Sequence, residues 1–243
     1  MTHASSNNQK KETARVELFS DGVFAIAITL LVLELIQILH PGTETDLLTT
    51  CFHHWHSFLA FFIGFITILV CWINHHVAFE YIQKVDTRFL WVNGFLLFVV
   101  TFTPFPTAIL AQYMQTESTV ALAVFGFNYI LISIAANGIC QYAYNHHLIA
   151  EEDRSFFNSY RLIYRYSIFY NILAFFICFL STWVAVFLYI FLFVLFARPK
   201  ELALQLQKII KRQKSKSKAK EPPQNGEAEN VVAGMEDDIN GPI

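Results

Sequence analysis

Charged residues are scarce in this chain, and their scarcity excludes most soluble folds. Only 15% of the 243 residues are Asp, Glu, Lys or Arg, whereas 55% are hydrophobic and 25 are phenylalanine. A soluble domain of this length can bury a good core without apolar runs as long as those found here. The composition therefore predicts a polytopic membrane protein. The formal net charge of −2 says little, because the charges are segregated along the chain.

Cysteine pairs and the common catalytic motifs are missing as well. The four cysteines are isolated and form no CxxC pair, so neither a disulfide framework nor a zinc site is indicated. The chain has no TVGYG potassium filter, Walker A motif, GxGxxG motif, serine elbow or HxxHH box. We therefore predict no enzyme activity, no cofactor and no nucleic-acid partner. No signal peptide is predicted either, since the first apolar run is too long for an h-region.

One cluster of possible metal ligands leaves two interpretations open. Cys51, His53, His54 and His56 lie close together in the sequence and provide the ligand types that bind metals. The same segment is also typical of a helix that begins at the membrane interface, with Trp55 as its anchor.

Apolar runs of membrane-spanning length recur along the chain and predict an all-α membrane protein. We expect six transmembrane helices within residues 15–198, at about 17–39, 55–81, 89–113, 120–144 and twice within 162–197. Two prolines, Pro104 and Pro106, should kink the third helix or end it early. Residues 1–14 are polar and are expected to be disordered. Residues 199–243 form a basic and then acidic tail, which is also expected to be largely disordered.

The distribution of basic residues predicts the orientation. All 17 Lys and Arg fall in the N-terminus, in residues 82–88 and 145–161, in the C-terminus, or at span ends adjoining these segments, as Arg165 does. The three opposite loops have none. Because basic residues concentrate on the cytoplasmic side, both termini are predicted to be cytoplasmic. The basic part of the tail is then either a solvated flank or a contact to anionic lipid.

Polar residues at membrane depth are the candidates for function. Asp21 lies in the first span, where an unpaired acid costs on the order of 2–3 kcal/mol. It either pairs with Arg15 to fix the helix end or has a functional role. The second span returns His75 and His76 to the same depth. Such a network can lock two helices together or respond to pH near the histidine pKa of about 6.5.

A stripe on the first span is a further candidate. Ile26, Leu30, Leu33 and Gln37 recur at helical spacing, and Thr29 lies on the same side. Such a stripe is usually a packing or lipid-facing surface, and it becomes a pore wall only when several copies surround an axis. Glu34 either attracts cations to an outer mouth or points into water at the helix end.

Three motifs resemble one known family. The run Arg15-x3-Phe19-Ser20-Asp21-Gly22, with the apolar residues after it, closely resembles the first helix of the transmembrane protein 175 family. That family comprises the potassium channels of lysosomes and their prokaryotic relatives. The Trp72-x2-His75-His76 motif and the Pro-Phe-Pro-Thr run at 104–107 also resemble it. The resemblance covers roughly residues 13–197, and the single six-helix repeat is similar to that of prokaryotic members.

The resemblance implies a potassium-preferring cation channel without a carbonyl filter. It implies a homotetramer in the lipid bilayer, with four first helices around a central pore that passes potassium and other monovalent cations. Ile26 would form the hydrophobic constriction, Leu30 and Leu33 further apolar layers, and Thr29 a polar layer associated with cation preference. The network bracing the pore helix would comprise Arg15, Ser20, Asp21, Trp72 and His75. A prokaryotic member would lie in the plasma membrane.

A secondary transporter is the alternative interpretation of the same residues. Asp21 and the membrane histidines are possible proton carriers, and the prolines of the third span are compatible with the broken helices of transporters.

Overall fold

The computed structural model describes residues 2–37 and 46–218, and this part of the chain is helical apart from turns and one isolated bridge between Ile82 and Ile149. A 3₁₀ turn at Glu151–Asp153 precedes α8. The helices are α1 (Thr2–Leu30), α2 (Val32–Gln37), α3 (Leu47–His53), α4 (Trp55–Tyr81), α5 (Thr87–Phe102), α6 (Pro104–Tyr113), α7 (Ser118–Asn145), α8 (Arg154–Ile177), α9 (Thr182–Phe196) and α10 (Pro199–Lys218).

The N-terminus departs from the sequence-based expectation. Helix α1 begins at Thr2, whereas the sequence predicts disorder over residues 1–14. The segment contains neither proline nor glycine, and it extends the apolar helix without interruption. The Thr13 hydroxyl lies 3.1 Å from the Gln9 carbonyl of its own helix and 3.3 Å from the Gln83 carbonyl in the α4–α5 loop. A tertiary contact therefore stabilises a polar helix that local sequence alone does not indicate.

The predicted first span is divided in two. Helix α1 ends at Leu30, where the Leu31 amide donates to the Ile28 carbonyl at 3.3 Å in a tighter turn, and α2 follows. The predicted end of this span and the His-Pro-Gly turn at 40–42 lie outside the described residues. In the tail, α10 is helical to Lys218, whereas the acidic end at 219–243 is not described, so the largely disordered tail stays a prediction.

The prediction for the third span is confirmed. The span is broken into α5 and α6 at Thr103, and Pro104 occupies the first position of α6, where a missing amide proton costs nothing. The buried Thr103 hydroxyl donates to the Val99 carbonyl at 3.2 Å and accepts a hydrogen bond from Asn128 on α7 at 3.0 Å. A side chain of α7 thus stabilises the break.

Three helical segments are long and apolar enough to cross a membrane within the described residues: α4, α5 with α6 taken together, and α7. A fourth is reached only if α9 and α10, which are separated by a bend, are taken as one span. The apolar part of α1 stops at the Leu31 break, and α8 contains three arginines. The six-span arrangement and the position of the termini therefore stay predictions.

The chain divides into two compact units, Met1–Leu204 and Gln205–Ile243. In the first unit, α7 packs against α5, α6 and α8, while α4 packs against α1, α6 and α9. Polar groups within this core bind one another. The Tyr160 hydroxyl donates to the Asn74 carbonyl at 2.7 Å, and the Tyr164 hydroxyl donates to the Asn74 side-chain oxygen at 2.7 Å. These bonds connect α8 to α4, the helix that contacts α1.

Gly64 marks a close approach between α4 and α6. A Cβ atom at this position would lie 2.7 Å from Thr107 Oγ1 and 2.8 Å from Thr107 Cγ2, and Thr107 is buried. We expect Gly64→Ala to lower the free energy of unfolding by about 1–3 kcal/mol, since overpacking forces the helices apart. Thermal unfolding of the purified protein in detergent measures the change. The matched control is Gly138→Ala, whose Cβ would lie 3.6 Å from Val92, an ordinary contact. Equal melting temperatures for the two variants would contradict the prediction.

Candidate functional site

Helix α1 has one buried face and one exposed face. Phe24, Ala27 and Leu31 are almost completely buried against the other helices. On the opposite side, Ile26 is 61% exposed, and Leu30 on α1 and Leu33 on α2 are exposed as well. Thr29 is exposed beside them. The predicted stripe thus lies on the outer surface of the subunit; we call Ile26, Thr29, Leu30 and Leu33 the exposed stripe. The side chains of Glu34 and Gln37 lie outside the described residues.

Thr29 is the polar member of the exposed stripe. Its hydroxyl donates to the Ile26 carbonyl of the same helix at 2.9 Å. A threonine hydroxyl has one proton and two lone pairs, so its oxygen can still accept a hydrogen bond or contact a cation. The exposed stripe is therefore apolar except for one polar atom, the Thr29 hydroxyl oxygen.

The opposite side of α1 is attached to α4 through Asp21. The Trp72 indole nitrogen donates to Asp21 Oδ1 at 2.9 Å, and both side chains are partly buried. Trp72 also stacks on His76, with ring centroids 5.9 Å apart. The Asp21 carboxylate is thus stabilised by a hydrogen bond from another helix, which offsets part of the cost of its partial burial.

A second connection runs through Asn93, a residue that sequence analysis missed. Asn93 on α5 donates from Nδ2 to Ser20 Oγ at 3.0 Å, and Ser20 donates to the Val16 carbonyl at 2.8 Å. The remaining Asn93 oxygen lies 2.9 Å from His75 Nε2. Because Asn93 Oδ1 can only accept, Nε2 carries the proton in this arrangement. Three helices, α1, α5 and α4, are joined by one chain of buried hydrogen bonds.

Arg15 does not take part in these hydrogen bonds. Within the described residues it makes no ion pair with Asp21, because a separation of six positions places the two side chains about 120° apart around a helix. Arg15 is exposed and instead lines a cleft of about 670 Å³ between α1 and α5, together with Asp86 and Gly94. Of the two alternatives for Asp21, the described residues thus do not show the pairing with Arg15.

The two histidines have different partners. His75 is buried and binds Asn93, whereas His76 is exposed, with Nδ1 3.0 Å from Glu17 Oε1 and Nε2 3.8 Å from Glu80 Oε1. The sequence predicts a single network, whereas the structure shows two groups of contacts. His75 belongs to a buried group, and His76 belongs to a more exposed one. A polar amide within the apolar run FLWVNGFLLF is the only signal that could have indicated Asn93.

Asp86, in the loop before α5, binds groups from two helices. Its carboxylate accepts from the Phe89 amide at 2.7 Å and from the Tyr142 hydroxyl at 2.9 Å. Burial raises the pKa of Asp86, but these hydrogen bonds outweigh burial and lower the pKa below its ordinary value. Asp86 is therefore ionised at neutral pH and caps α5 at the edge of the cleft.

The possible outer metal site is not formed. Across residues 2–37 and 46–218, no three His, Cys, Asp or Glu side chains are arranged to hold a metal ion. His56 instead lies 3.0 Å from the Gln115 amide nitrogen. Trp55 is exposed at the start of α4, in keeping with the interfacial anchor.

The hydrogen-bond chain through Asn93 should stabilise the fold cooperatively. We expect Asn93→Ala to lower the free energy of unfolding by about 1–3 kcal/mol, because it leaves His75 Nε2 unpaired at a buried site. Ser20→Ala should also lower the free energy of unfolding, and this loss should be at least about 0.5 kcal/mol smaller in the Asn93→Ala background than in the wild type. Chemical denaturation of the four proteins of this cycle measures the coupling. Thr101→Ala is the control, since the Thr101 hydroxyl binds within its own helix. Additive effects of the two substitutions would rule out the chain.

Known proteins resemble the chain in the segment that contains the exposed stripe and the hydrogen bonds of α1. The family model for the endosomal/lysosomal potassium channel TMEM175 matches residues 15–104, which include the exposed stripe and the residues that attach α1 to α4 and α5: Ser20, Asp21, Trp72, His75 and Asn93. A potassium channel of Chamaesiphon minutus is 40% identical over 193 residues, which cover 78% of this chain and 95% of that protein.

A solved structure and a vertebrate protein extend the comparison. The crystal structure of a lysosomal potassium-selective channel TMEM175 homolog from Chamaesiphon minutus matches with a TM-score of 0.70 and 38% identity, over 78% of this chain and 98% of the other. The endosomal/lysosomal proton channel TMEM175 of Gallus gallus is 38% identical over 77 residues, 29% of this chain but only 15% of that protein. Since a relative matches over nearly its whole length, the chain belongs to the TMEM175 family of ion channels and is a multi-pass membrane protein.

Proposed function

We propose that the chain is a potassium-preferring cation channel in which four copies of α1 surround a central pore. The observation that supports this most strongly is the exposed stripe, which lies on the outside of the subunit while the opposite face of α1 is buried. A surface on the outside of one subunit encloses a path for ions only when several copies close around an axis. The number four comes from the resemblance to the family.

Gly22 gives independent support for a surface that is covered by another copy. A Cβ atom at Gly22 would meet nothing within 4 Å in the subunit, so packing within the chain does not require glycine there. A glycine inside a helix costs about 1 kcal/mol relative to alanine. Small residues allow helices in membranes to approach closely, and Gly22 lies on the exposed side of α1 together with Ile26.

Ile26 is proposed as the constriction because it is more exposed than Leu30, the other apolar member of the stripe before the helix break. A ring of isoleucine side chains expels water from a narrow pore and blocks ions until the ring widens. Leu30 and Leu33 would extend this apolar section, and Thr29 would add a ring of oxygens. Selectivity from hydroxyls and pore width should be weaker than selectivity from a carbonyl filter.

The hydrogen bonds of α1 are proposed to set the rotation of the pore helix. Trp72 binds Asp21, and Asn93 binds Ser20, so both contacts act on the side of α1 that faces the other helices. Rotation of α1 about its axis would break them and would turn Ile26 away from the pore. Both termini are proposed to be cytoplasmic, and the plasma membrane is the expected location if the host is a prokaryote.

The flux of potassium through the purified protein in liposomes tests this function. We expect rapid dissipative flux that is faster for potassium than for sodium, and we expect Ile26→Asn to increase it about tenfold, because a polar ring stays hydrated. Ile134→Asn is the matched control, since Ile134 is a 43% exposed isoleucine on α7 rather than on α1. An unchanged flux in Ile26→Asn would place the constriction elsewhere. Slow, saturable, proton-dependent flux would indicate the alternative secondary transporter that uses Asp21 and the histidines.

Thr29 should affect selectivity more than conductance. We expect Thr29→Val to reduce the ratio of potassium to sodium flux to about one while flux continues, because valine keeps the shape but removes the oxygen. Parallel flux series with the two ions measure the ratio. Thr101→Val on α5 serves as the control, and a ratio that is equal in all three proteins would exclude Thr29 from selectivity.

A further inference from the structure

Three arginines share one face of α8, outside the site described above. Arg154, Arg161 and Arg165 are separated by seven and four residues, which places them within about 40° of one another around the helix. All three lie in the first half of α8. This half overlaps or adjoins residues 145–161, one of the segments that carry the basic residues of the chain. A cluster of basic side chains at the interfacial end of a helix in a membrane protein marks a candidate site for an anionic headgroup.

Contacts with α7 and within α8 hold the arginine side chains in place. The guanidinium carbons of Arg154 and Arg161 lie 4.5 and 4.1 Å from the centre of the Tyr144 ring. Arg161 donates to Asn158 Oδ1 at 2.8 Å, and Arg165 donates to the Gln141 oxygen at 3.4 Å. These partners are neutral, so they orient the guanidinium groups without neutralising their charges.

Carboxylates neutralise little of this charge. Arg154 lies 3.7 Å from Glu151, whose side chain is 77% exposed, so this ion pair is weak. Among the described residues, neither Arg161 nor Arg165 forms an ion pair with a carboxylate, and Arg161 Nε is buried without a hydrogen-bond partner. Each guanidinium has five N–H donors in a planar fork, and this geometry matches the oxygens of a phosphate. An anion with several acceptor oxygens fits the guanidinium donors that remain unused, apart from the buried Arg161 Nε.

The same face of α8 continues as an apolar surface. Phe169, Ile172 and Phe176 follow Arg165 at intervals of four, three and four residues, and they are 65%, 36% and 62% exposed. From Arg165 to Phe176 the helix rises about 16 Å, roughly the thickness of one leaflet of the hydrocarbon core. A charged end followed by an apolar strip of this length matches the headgroup and acyl chain of a phospholipid.

We propose that α8 binds an anionic phospholipid of the leaflet that surrounds its arginine-bearing end. The phosphate contacts Arg161 and Arg165, and an acyl chain lies along Phe169, Ile172 and Phe176. Arg154 contributes less, because Glu151, Glu152 and Asp153 lie beside it in the sequence. Basic pockets between membrane helices are known to take such headgroups. This site is separate from the exposed stripe, and it does not depend on ion conduction.

The test measures which lipids the full-length protein retains. The purified protein is equilibrated in detergent micelles with equal amounts of phosphatidylglycerol and phosphatidylcholine, and the bound lipids are then quantified by mass spectrometry. We expect enrichment of phosphatidylglycerol in the wild type. The enrichment of phosphatidylglycerol should be about tenfold lower in the variant R161Q/R165Q than in the wild type, because two charge-assisted contacts are removed. The variant R161K/R165K should lose less, since it keeps the charge.

The matched control is R88Q/R198Q, which removes two exposed arginines from other helix ends and should retain the wild-type enrichment within about twofold. If R161Q/R165Q does not fold, R165Q replaces it, because Arg165 is exposed and makes one long hydrogen bond. Equal retention of the two lipids by the wild type would overturn the proposal, as would unchanged enrichment in the glutamine variants. Displacement of the lipid by millimolar glycerol 3-phosphate would assign the site to a free phosphate instead.

Discussion

The attachment of α1 to its neighbours is the constraint on which the rest of the site depends. Ser20 and Asp21 lie side by side in a mostly apolar helix, and polar groups in such surroundings require partners. Trp72 from α4 and Asn93 from α5 provide them at 2.9 and 3.0 Å. Because adjacent residues of a helix point in directions about 100° apart, the two bonds fix the rotation of α1. The exposed stripe faces outward as a consequence.

Buried hydrogen bonds support this attachment from further away. His75, which contacts Asn93, is next to Asn74, and the Asn74 side-chain amide donates to the Phe196 carbonyl on α9 at 3.0 Å. Tyr160 and Tyr164 on α8 bind the same asparagine. Helix α4 is therefore fixed on both sides: one face binds α1 and α5, and the other binds α8 and α9. These hydrogen bonds join the helices around the proposed pore helix, although His75 Nδ1 has no hydrogen-bond partner.

Several features could be predicted because the signal is local. The spacing of Ile26, Leu30 and Leu33 predicts one stripe, since helical periodicity is visible in the sequence itself. Pro104 predicts the break in the third span, because a proline without an amide proton favours a helix start. Arg15 and Asp21 were expected to be within reach of one another, but helix geometry places them on different faces.

Other features depended on contacts between distant parts of the chain. Asn93 lies 73 residues from Ser20 and 18 from His75, so no local pattern indicates that one amide joins them. The helical start of α1 is similar, because Thr13 meets Gln83 across a separation of 70 residues. A polar residue in an apolar run indicates that Asn93 has a hydrogen-bond partner. Which residues are its partners depends on how the helices pack.

By itself the sequence determined the membrane class, the apolar stripe on the first helix and the resemblance to a channel family, because composition, periodicity and motifs are properties of the linear chain. The tertiary structure decided which polar groups meet, where the first helix breaks and which face of α1 is left exposed. It also brought Tyr144 of α7 over two arginines of α8. The physical reason is the same in each case: hydrogen bonds and ring contacts between helices depend on how the helices are rotated and packed, and the sequence does not contain that geometry explicitly.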